Sequence, residues 1–290
     1  MIRSILVSLM LVCSAAAAAG TPGKDAEQIH RTLKFTGVSG THRLTVDNIS
    51  GSIRVTGYDG TAVEMIAYRT IHADSDDKRE EAKNKVTLDI TEKANDIVLF
   101  VDAPWRTRDG GTDYRGHDHY GYDVSYDFEL KIPVKTDVVL KTVNGGEIEV
   151  TNVVGNFVVK NVNGSVNLQD MAGSGEASTV NGGVDVRFRE NPHEASAFST
   201  VNGKVTVQFE KSLAASLRFQ TLNGEVFSDF NVTKENLSRP FSRKYGNRSV
   251  YKASDSFGVQ VGTGGPEMKF STINGNIYIL KNESGRIQHD

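Results

Sequence analysis

The stretch Thr200-Val201-Asn202-Gly203-Lys204-Val205-Thr206-Val207 decides how this 290-residue chain folds. Its Asn-Gly pair is typical of a tight turn, because both residues accept a positive φ at little cost. The polar–apolar alternation that follows is typical of a strand with one buried face. The stretch therefore predicts a corner and the short strand that leaves it.

The same corner recurs through the second half of the chain. Each copy has Thr or Asn, then an aliphatic residue, then Asn-Gly. The first five copies lie 18 to 21 residues apart, whereas the sixth follows after 51, so we place an insertion at about residues 231–254. A constant repeat of this length predicts one structural unit per repeat. The copies are Thr142-Val143-Asn144-Gly145, Asn161-Val162-Asn163-Gly164, Thr179-Val180-Asn181-Gly182, Thr200-Val201-Asn202-Gly203, Thr221-Leu222-Asn223-Gly224 and Thr272-Ile273-Asn274-Gly275.

Two architectures fit short strands joined by such corners: a meander of hairpins and a parallel β-solenoid of the β-helix type. The identity of the corners favours the solenoid, because coils stacked roughly 4.8 Å apart place equivalent residues in columns. We therefore expect coils of about 20 residues with Asn-Gly turns. The expected turn ladder is Asn144, Asn163, Asn181, Asn202, Asn223 and Asn274. The expected core is Ile148, Val150, Val166, Leu168, Val184, Val186, Val205, Val207, Val226 and Ile277.

The first half of the chain also predicts β-structure. Residues 47–55 read as a degenerate repeat, and residues 62–71 as a longer strand. Alternation predicts further strands near residues 86–90, 97–101 and 122–132. Residues 74–85 are rich in charge and in helix formers, with Asp74 or Ser75 as the cap, and predict one short surface helix. The fold class expected is therefore all-β with a single helix.

The N-terminus reads as an export signal. Arg3 precedes an apolar run over residues 4–12, and the alanines that follow predict cleavage after Ala19. A lipidated Cys13 is the alternative. The predicted organisation is a signal peptide (1–19), a lead-in (20–39), one domain (40–280) with the insertion at 231–254, and a tail (281–290).

Charge and cysteine content narrow the partners and the compartment. The net charge is −3 and the isoelectric point about 6.2, which argues against nucleic acid as a partner. Cleavage after Ala19 leaves no cysteine and no transmembrane segment in the mature chain. Export without disulfides favours the periplasm or the surface of a bacterial cell.

The chemistry-bearing residues give few candidate sites. Trp105, Tyr114 and Tyr120 lie in a Gly-rich, basic loop at residues 105–123 and are our candidate binding residues. His117 and His119 are a weak candidate metal pair, because no third ligand is fixed beside them. A calcium β-roll is excluded, because the corners lack a regular Asp. We predict no cofactor.

Four segments together resemble a known family. They are residues 46–60, the strand at 126–133, the Thr-Val-Asn-Gly repeats and the closing residues 264–279. In combination they resemble the bacterial putative-adhesin family, a β-strand-repeat domain of unknown function. The resemblance covers about residues 40–280 and implies a β-solenoid in the cell envelope. It supplies no catalytic residues.

Two functions from different classes follow. Sequence signatures of hydrolases, nucleotide-binding loops and zinc proteases are absent, and the outward charges change sign from repeat to repeat. The first hypothesis is an exported, non-catalytic protein that presents a surface to an envelope polysaccharide or envelope protein. The alternative is a carbohydrate-active β-helix enzyme, a polysaccharide hydrolase or lyase. It requires carboxylates that converge in one groove.

Overall fold

The computed structural model describes residues 24–37, 39–106, 120–234, 241–245, 248–252 and 256–282. These residues form an all-β fold with one helix. The strands are β1 Lys24–Lys34, β2 His42–Asp47, β3 Ile53–Tyr58, β4 Ala62–Ala73, β5 Thr87–Glu92, β6 Asp96–Asp102, β7 Tyr122–Pro133, β8 Thr136–Lys141, β9 Ile148–Thr151, β10 Phe157–Lys160, β11 Val166–Ala172, β12 Gly175–Ser178, β13 Val184–Glu190, β14 Ser196–Ser199, β15 Val205–Phe209, β16 Ala215–Asn223, β17 Glu225–Ser228, β18 Val232–Lys234, β19 Phe241–Tyr245, β20 Arg248–Lys252, β21 Phe257–Val261, β22 Glu267–Asn274 and β23 Ile277–Lys281.

The strands of the described residues make two mixed sheets. Sheet 1 has the order β1-β4-β7-β3-β9-β11-β13-β15-β23-β17-β20-β19. Sheet 2 has the order β18-β21-β16-β22-β14-β12-β10-β8-β2-β6-β5. Through most of the chain, a strand of sheet 2 is followed by a strand of sheet 1, and we call each such pair a coil. The predicted repeat is thus one strand in each sheet.

Neighbouring coils pair in parallel and in register. Val205 of β15 lies beside Val184 of β13 on one side and beside Ile277 of β23 on the other. The spatial order of the coils is β6–β7, β2–β3, β8–β9, β10–β11, β12–β13, β14–β15, β22–β23 and β16–β17. The degenerate repeat predicted at residues 47–55 is confirmed as part of coil β2–β3.

This order departs from the order along the chain at both ends of the stack. Coil β2–β3 lies between β6–β7 and β8–β9, although it comes first in the sequence. Coil β22–β23, the last in the sequence, lies between β14–β15 and β16–β17. Each end of the stack therefore contains a coil that is inserted between two others.

The core lies between the two sheets. Every residue of the expected core, from Ile148 to Ile277, is fully buried. Phenylalanines of several coils stack within it: the rings of Phe198 and Phe270 lie 5.4 Å apart, and those of Phe270 and Phe219 lie 5.3 Å apart. Burial of these side chains away from water is the main favourable contribution to stacking the coils.

Antiparallel strands cover both ends of the stack. At one end, β4 pairs with β7, β1 pairs with β4, and β5 pairs with β6. At the other end, β21 pairs with β16, β20 pairs with β17, and β18 and β19 lie at the sheet edges. The insertion predicted at about residues 231–254 contains β18, β19 and β20, which pair antiparallel and belong to no coil.

The helix α1, Asp76–Lys85, packs against β4 and β7 and confirms the helix expected at residues 74–85. Ser75 is its N-cap, because the Ser75 side chain accepts a hydrogen bond from the backbone N–H of Lys78. No helix of the described residues is long and apolar enough to cross a membrane. The predicted signal peptide and the residues after Asn282 lie outside the described residues, and β1 occupies part of the predicted lead-in.

Candidate binding surface

The six asparagines of the corners form one continuous ladder of side-chain amides. Asn202 donates from Nδ2 to Oδ1 of Asn181 over 2.9 Å and accepts from Nδ2 of Asn274 over 2.8 Å. The donation runs in one direction from coil to coil. Its full order is Asn223, Asn274, Asn202, Asn181, Asn163 and Asn144. The ladder expected from the sequence had Asn223 and Asn274 in the opposite order.

A second ladder lies behind the first and ties each coil to the next. The Thr200 hydroxyl donates a hydrogen bond to the Gly182 carbonyl over 2.8 Å. In the coil where Asn161 replaces the threonine, its side-chain amide donates to the Gly146 carbonyl. The glycine is needed for this close stacking at five of the six corners, and at the remaining corner Gly145 has a positive φ of 68°. A Cβ on Gly203 would lie 2.0 Å from the Gly182 carbonyl oxygen, which is backbone and cannot give way. The corner sequence therefore follows from its contacts with the next coil.

The outer side of these corners is exposed and uncharged. Leu222 is 67% exposed, Ile273 44% and Val180 37%, and each stands next to a ladder asparagine. An interior ladder amide such as that of Asn202 uses one N–H and one lone pair in the ladder, so a second of each stays available to solvent or a ligand. We call this surface the corner ridge. It consists of Val143, Val162, Val180, Val201, Ile273, Leu222 and the six ladder asparagines.

The ridge ends at coil β2–β3, where the corner reads Asn48-Ile49-Ser50-Gly51. Ser50 bridges to Asn144 and replaces the ladder asparagine. Ile49 is buried, in contrast to the exposed aliphatic residues at the other end of the ridge. The exposed apolar area is therefore concentrated toward coils β22–β23 and β16–β17.

A groove of about 560 Å³ lies on the outer face of sheet 1, and sequence reasoning missed it. Strands β1, β4, β7 and β3 bring together His30, Glu64, Lys131 and Arg54 along its wall. The guanidinium of Arg54 lies 2.7 Å from a carboxylate oxygen of Glu149 and 3.6 Å from one of Glu129. These residues are distant in sequence, so only the strand order reveals the groove.

Two carboxyl groups beyond this groove, those of Glu147 and Asp185, have raised pKa values. Burial, and secondarily the neighbouring Glu149, raise the pKa of Glu147. Burial likewise raises the pKa of Asp185, which a hydrogen bond from Gln169 partly offsets. Glu147 immediately precedes β9, whereas Asp185 lies on β13. Strand β11 lies between β9 and β13 in sheet 1.

Of the three aromatic residues expected from the sequence to form a binding site, the structure describes Trp105 and Tyr120. Trp105 is 6% exposed and packs against Tyr120 and Tyr122, with ring centroids 5.0 and 6.1 Å away. Trp105, a candidate binding residue from the sequence, is therefore part of the core, because its indole packs beside these rings. Burial raises the pKa of Tyr122 in the same cluster to about 12. Tyr120 is half-buried, and Tyr114 lies outside the described residues.

The two histidines proposed as a weak metal pair, His117 and His119, also lie outside the described residues. Within the described part of the chain, no cluster of three or more His, Cys, Asp or Glu side chains is arranged to hold a metal ion.

Comparison with protein families identifies the repeat. The family model described as Toastrack DUF4097 matches residues 32–256, which is most of the chain. The chain belongs to the Toastrack DUF4097 family. The resemblance to a bacterial β-strand-repeat family of unknown function is thereby confirmed. The matched region of this Toastrack chain ends before β22, so the inserted coil β22–β23 lies beyond it.

Solved structures similar to this Toastrack chain come from bacteria. A "putative cell adhesion protein" from Clostridium sporogenes is 14% identical, with a TM-score of 0.46, and the match covers 89% of this chain and 100% of that one. A "putative adhesin" from Bacteroides fragilis is 12% identical, with a TM-score of 0.37 and coverage of 88% and 97%. A "putative lipid binding protein" from Parabacteroides distasonis is 9% identical, with a TM-score of 0.27 and coverage of 90% and 98%. Comparison with curated proteins finds no match.

Proposed function

We propose that this chain is an exported β-solenoid of the periplasm or cell surface that works by presenting a binding surface to envelope material, without catalysis. The corner ridge is the proposed surface. One observation carries the proposal: equivalent aliphatic and amide groups recur once per coil in two adjacent columns, and Val180, Ile273 and Leu222 of the aliphatic column are exposed. Parallel, in-register pairing of the coils supports the solenoid interpretation.

The chemistry of the ridge favours an extended, uncharged ligand. Its corners contribute no ionised side chain, so nothing in the ridge itself selects for a charged partner. Aliphatic side chains contact the apolar faces of a sugar, and the remaining amide N–H and C=O groups pair with hydroxyls. A polysaccharide of the envelope fits this combination. Such a ligand contacts several coils, and each coil contributes modestly to the binding free energy.

The alternative of a polysaccharide-cleaving enzyme has weaker support. Glycosidases that retain configuration need two carboxyl groups roughly 5 Å apart, one of them protonated. Glu149 and Glu129 both form ion pairs with Arg54. On this face, the carboxyl group of Glu147 has a raised pKa and lies near the carboxylate of Glu149. Glu147 is therefore the residue to test.

The test is retention of the purified protein on immobilised peptidoglycan sacculi and on a panel of linear polysaccharides. We expect retention on at least one material and its loss in a triple variant, Val180→Lys, Ile273→Lys and Leu222→Lys, which charges the exposed ridge. The matched control is Thr56→Lys, Gln208→Lys and Gln220→Lys, which adds the same charge elsewhere. Equal retention of the ridge variant and the control variant overturns the ridge assignment. Failure of the wild-type protein to be retained on any material also overturns it.

The same incubations test the enzymatic alternative. Formation of new reducing ends or unsaturated ends would be measured over time, with and without added divalent metal. We expect none. Sustained release that Glu147→Gln abolishes would replace the binding proposal with a hydrolase or lyase.

A further inference from the structure

The inserted coil β22–β23 occupies a slot between two coils that match each other. On one side, β22 pairs with β14 and β23 with β15. On the other, β22 pairs with β16 and β23 with β17. The coil therefore supplies parallel pairing on both sides in both sheets, and its removal leaves four strand edges unpaired.

The two walls of the slot are also compatible with each other. Phe198 of β14, Phe270 of β22 and Phe219 of β16 share one register position and stack in that order. Likewise, Asn274 receives the amide of Asn223 and donates its own to Asn202. If the inserted coil leaves, Phe219 can stack on Phe198 and Asn223 can donate to Asn202. The stack with the coil and the stack without it thus use the same kinds of contact.

The inserted coil is connected to the preceding strand by a short, Gly-rich segment. Gly262-Thr263-Gly264-Gly265-Pro266 joins β21 to β22, and Gly262 and Gly264 have positive φ values of 60° and 77°. β23 is the last strand of the described chain. Domain swapping is favoured where a short hinge precedes an element that the same element of a second copy of the chain can replace.

We propose that coil β22–β23 exchanges between two copies of this chain, each copy filling the slot of the other. The partner is a second copy because only the same coil provides the Thr-Ile-Asn-Gly corner, the Phe270 ring and the strand lengths that the slot pairs with. The exchanged dimer keeps every contact of the slot and changes only the path of residues 262–266. It presents two corner ridges, so it multiplies the effective affinity for a repeating ligand. The proposal is independent of what the ridge binds.

Disulfide trapping tests the exchange. Gln208 of β15 lies between Arg187 of β13 and Leu280 of β23, in register with both. Neighbouring strands hold Cα atoms within the range that a disulfide spans. The protein is produced without the predicted signal peptide and hence without Cys13, so that each single variant has one cysteine. Gln208→Cys is mixed with Leu280→Cys, kept at high concentration and then oxidised.

The matched control is a mixture of Gln208→Cys with Arg187→Cys, since β13 belongs to a coil in sequential order. We expect a disulfide-linked heterodimer from the Leu280 mixture well above that from the Arg187 mixture. The double variant Gln208→Cys/Leu280→Cys closes within one chain and verifies the geometry. Native mass spectrometry of the unmodified protein at rising concentration provides a second readout and should show a dimer. Equal crosslinking in the two mixtures, or a strictly monomeric unmodified protein, overturns the proposal.

Discussion

The side-chain amide of Asn274 donates to Oδ1 of Asn202 over 2.8 Å, although 72 residues separate the two. Asn223, which is closer to Asn202 in the sequence, instead donates to Asn274. These hydrogen bonds show that coil β22–β23, the last in the sequence, lies between coils β14–β15 and β16–β17. The ladder then continues through Asn181 with the same geometry, so the insertion leaves no interruption in the column.

Replacing a central ladder residue should cost more than replacing a terminal one. Asn202→Ala removes two amide hydrogen bonds, whereas Asn223→Ala removes the bond to Asn274. With roughly 1 kcal/mol per bond, we expect Asn202→Ala to lower the free energy of unfolding by about 2 kcal/mol and Asn223→Ala by about half as much. Urea unfolding of both variants measures this difference, and equal losses would show that the ladder does not act bond by bond.

Gly203 and Gly183, which lie in neighbouring coils, should differ in how strongly alanine destabilises the fold. In Gly203→Ala the new Cβ would lie 2.0 Å from the Gly182 carbonyl oxygen, so the coils must separate. At Gly183 the nearest atom to a new Cβ is 3.5 Å away. We expect Gly203→Ala to cost about 1–3 kcal/mol or more, and Gly183→Ala to stay within about 1 kcal/mol of the wild type. Comparable thermal unfolding of the two variants would refute close stacking at the corner.

A charge at the centre of the stack should unfold it. Val205 is fully buried between Val184 and Ile277. We expect Val205→Asp to cost several kcal/mol, because an unpaired carboxylate is transferred from water to an apolar core. Lys211→Asp, at an exposed position, is the control and should unfold like the wild type. A Val205→Asp variant with wild-type melting would mean that this side chain does not face the core.

Asp185 should make stability depend on pH. Burial raises its pKa above the ordinary value of 3.8, and its neighbours Gln169 and Lys204 offset only part of this. The folded chain therefore binds the proton more tightly than the unfolded chain does, so stability falls as pH rises from 3.8 through the raised pKa. Asp185→Asn should reduce this fall and be more stable than the wild type at neutral pH.

The comparison for this variant is Asp59→Asn, an exposed change that removes the same charge. Free energies of unfolding in mildly acidic and neutral buffers measure the effect, and other titrating groups cancel in the difference between variants. A fall in stability that is the same in Asp185→Asn and in Asp59→Asn would contradict the assignment.

Trp105 should behave as a core residue. Because it is 6% exposed and packs against Tyr120 and Tyr122, we expect Trp105→Ala to lower the free energy of unfolding by about 3 kcal/mol. Tyr120→Ala, at a half-buried ring, should cost less. A role of the aromatic loop in binding is therefore best tested with Tyr114 and Tyr120, leaving Trp105 intact. Wild-type stability of Trp105→Ala would return it to the candidate binding residues.

Local patterns in the sequence predicted the strands and most of the core. The alternation in Lys204-Val205-Thr206-Val207 assigns Val205 and Val207 to the interior, and both are fully buried. The composition of residues 74–85 predicted α1, and Ser75 supplies its cap. These features depend on side-chain periodicity and on contacts a few residues apart, which are written directly in the sequence.

The groove and the pairing of the strands at the ends of the stack were not predictable in this way. Arg54 and Glu149 form an ion pair across 95 residues, and only the neighbouring positions of β3 and β9 bring them together. Trp105 was assigned to a loop because nothing in its neighbourhood shows that Tyr122 would return beside it. Long-range pairing of this kind depends on the whole topology.

The sequence by itself determined the repeat: a corner that needs glycine for close stacking, an asparagine that bonds to its counterpart, and a strand with one apolar face. Only the tertiary structure decided which coil stacks on which. The corners at Asn202, Asn223 and Asn274 are chemically equivalent, so the ladder alone does not favour one order over another. The order is fixed by contacts between elements distant in sequence, such as Phe257 of β21 packing on Phe219 and occupying the outer side of β16. With that side covered, the last coil pairs on the inner side of β16.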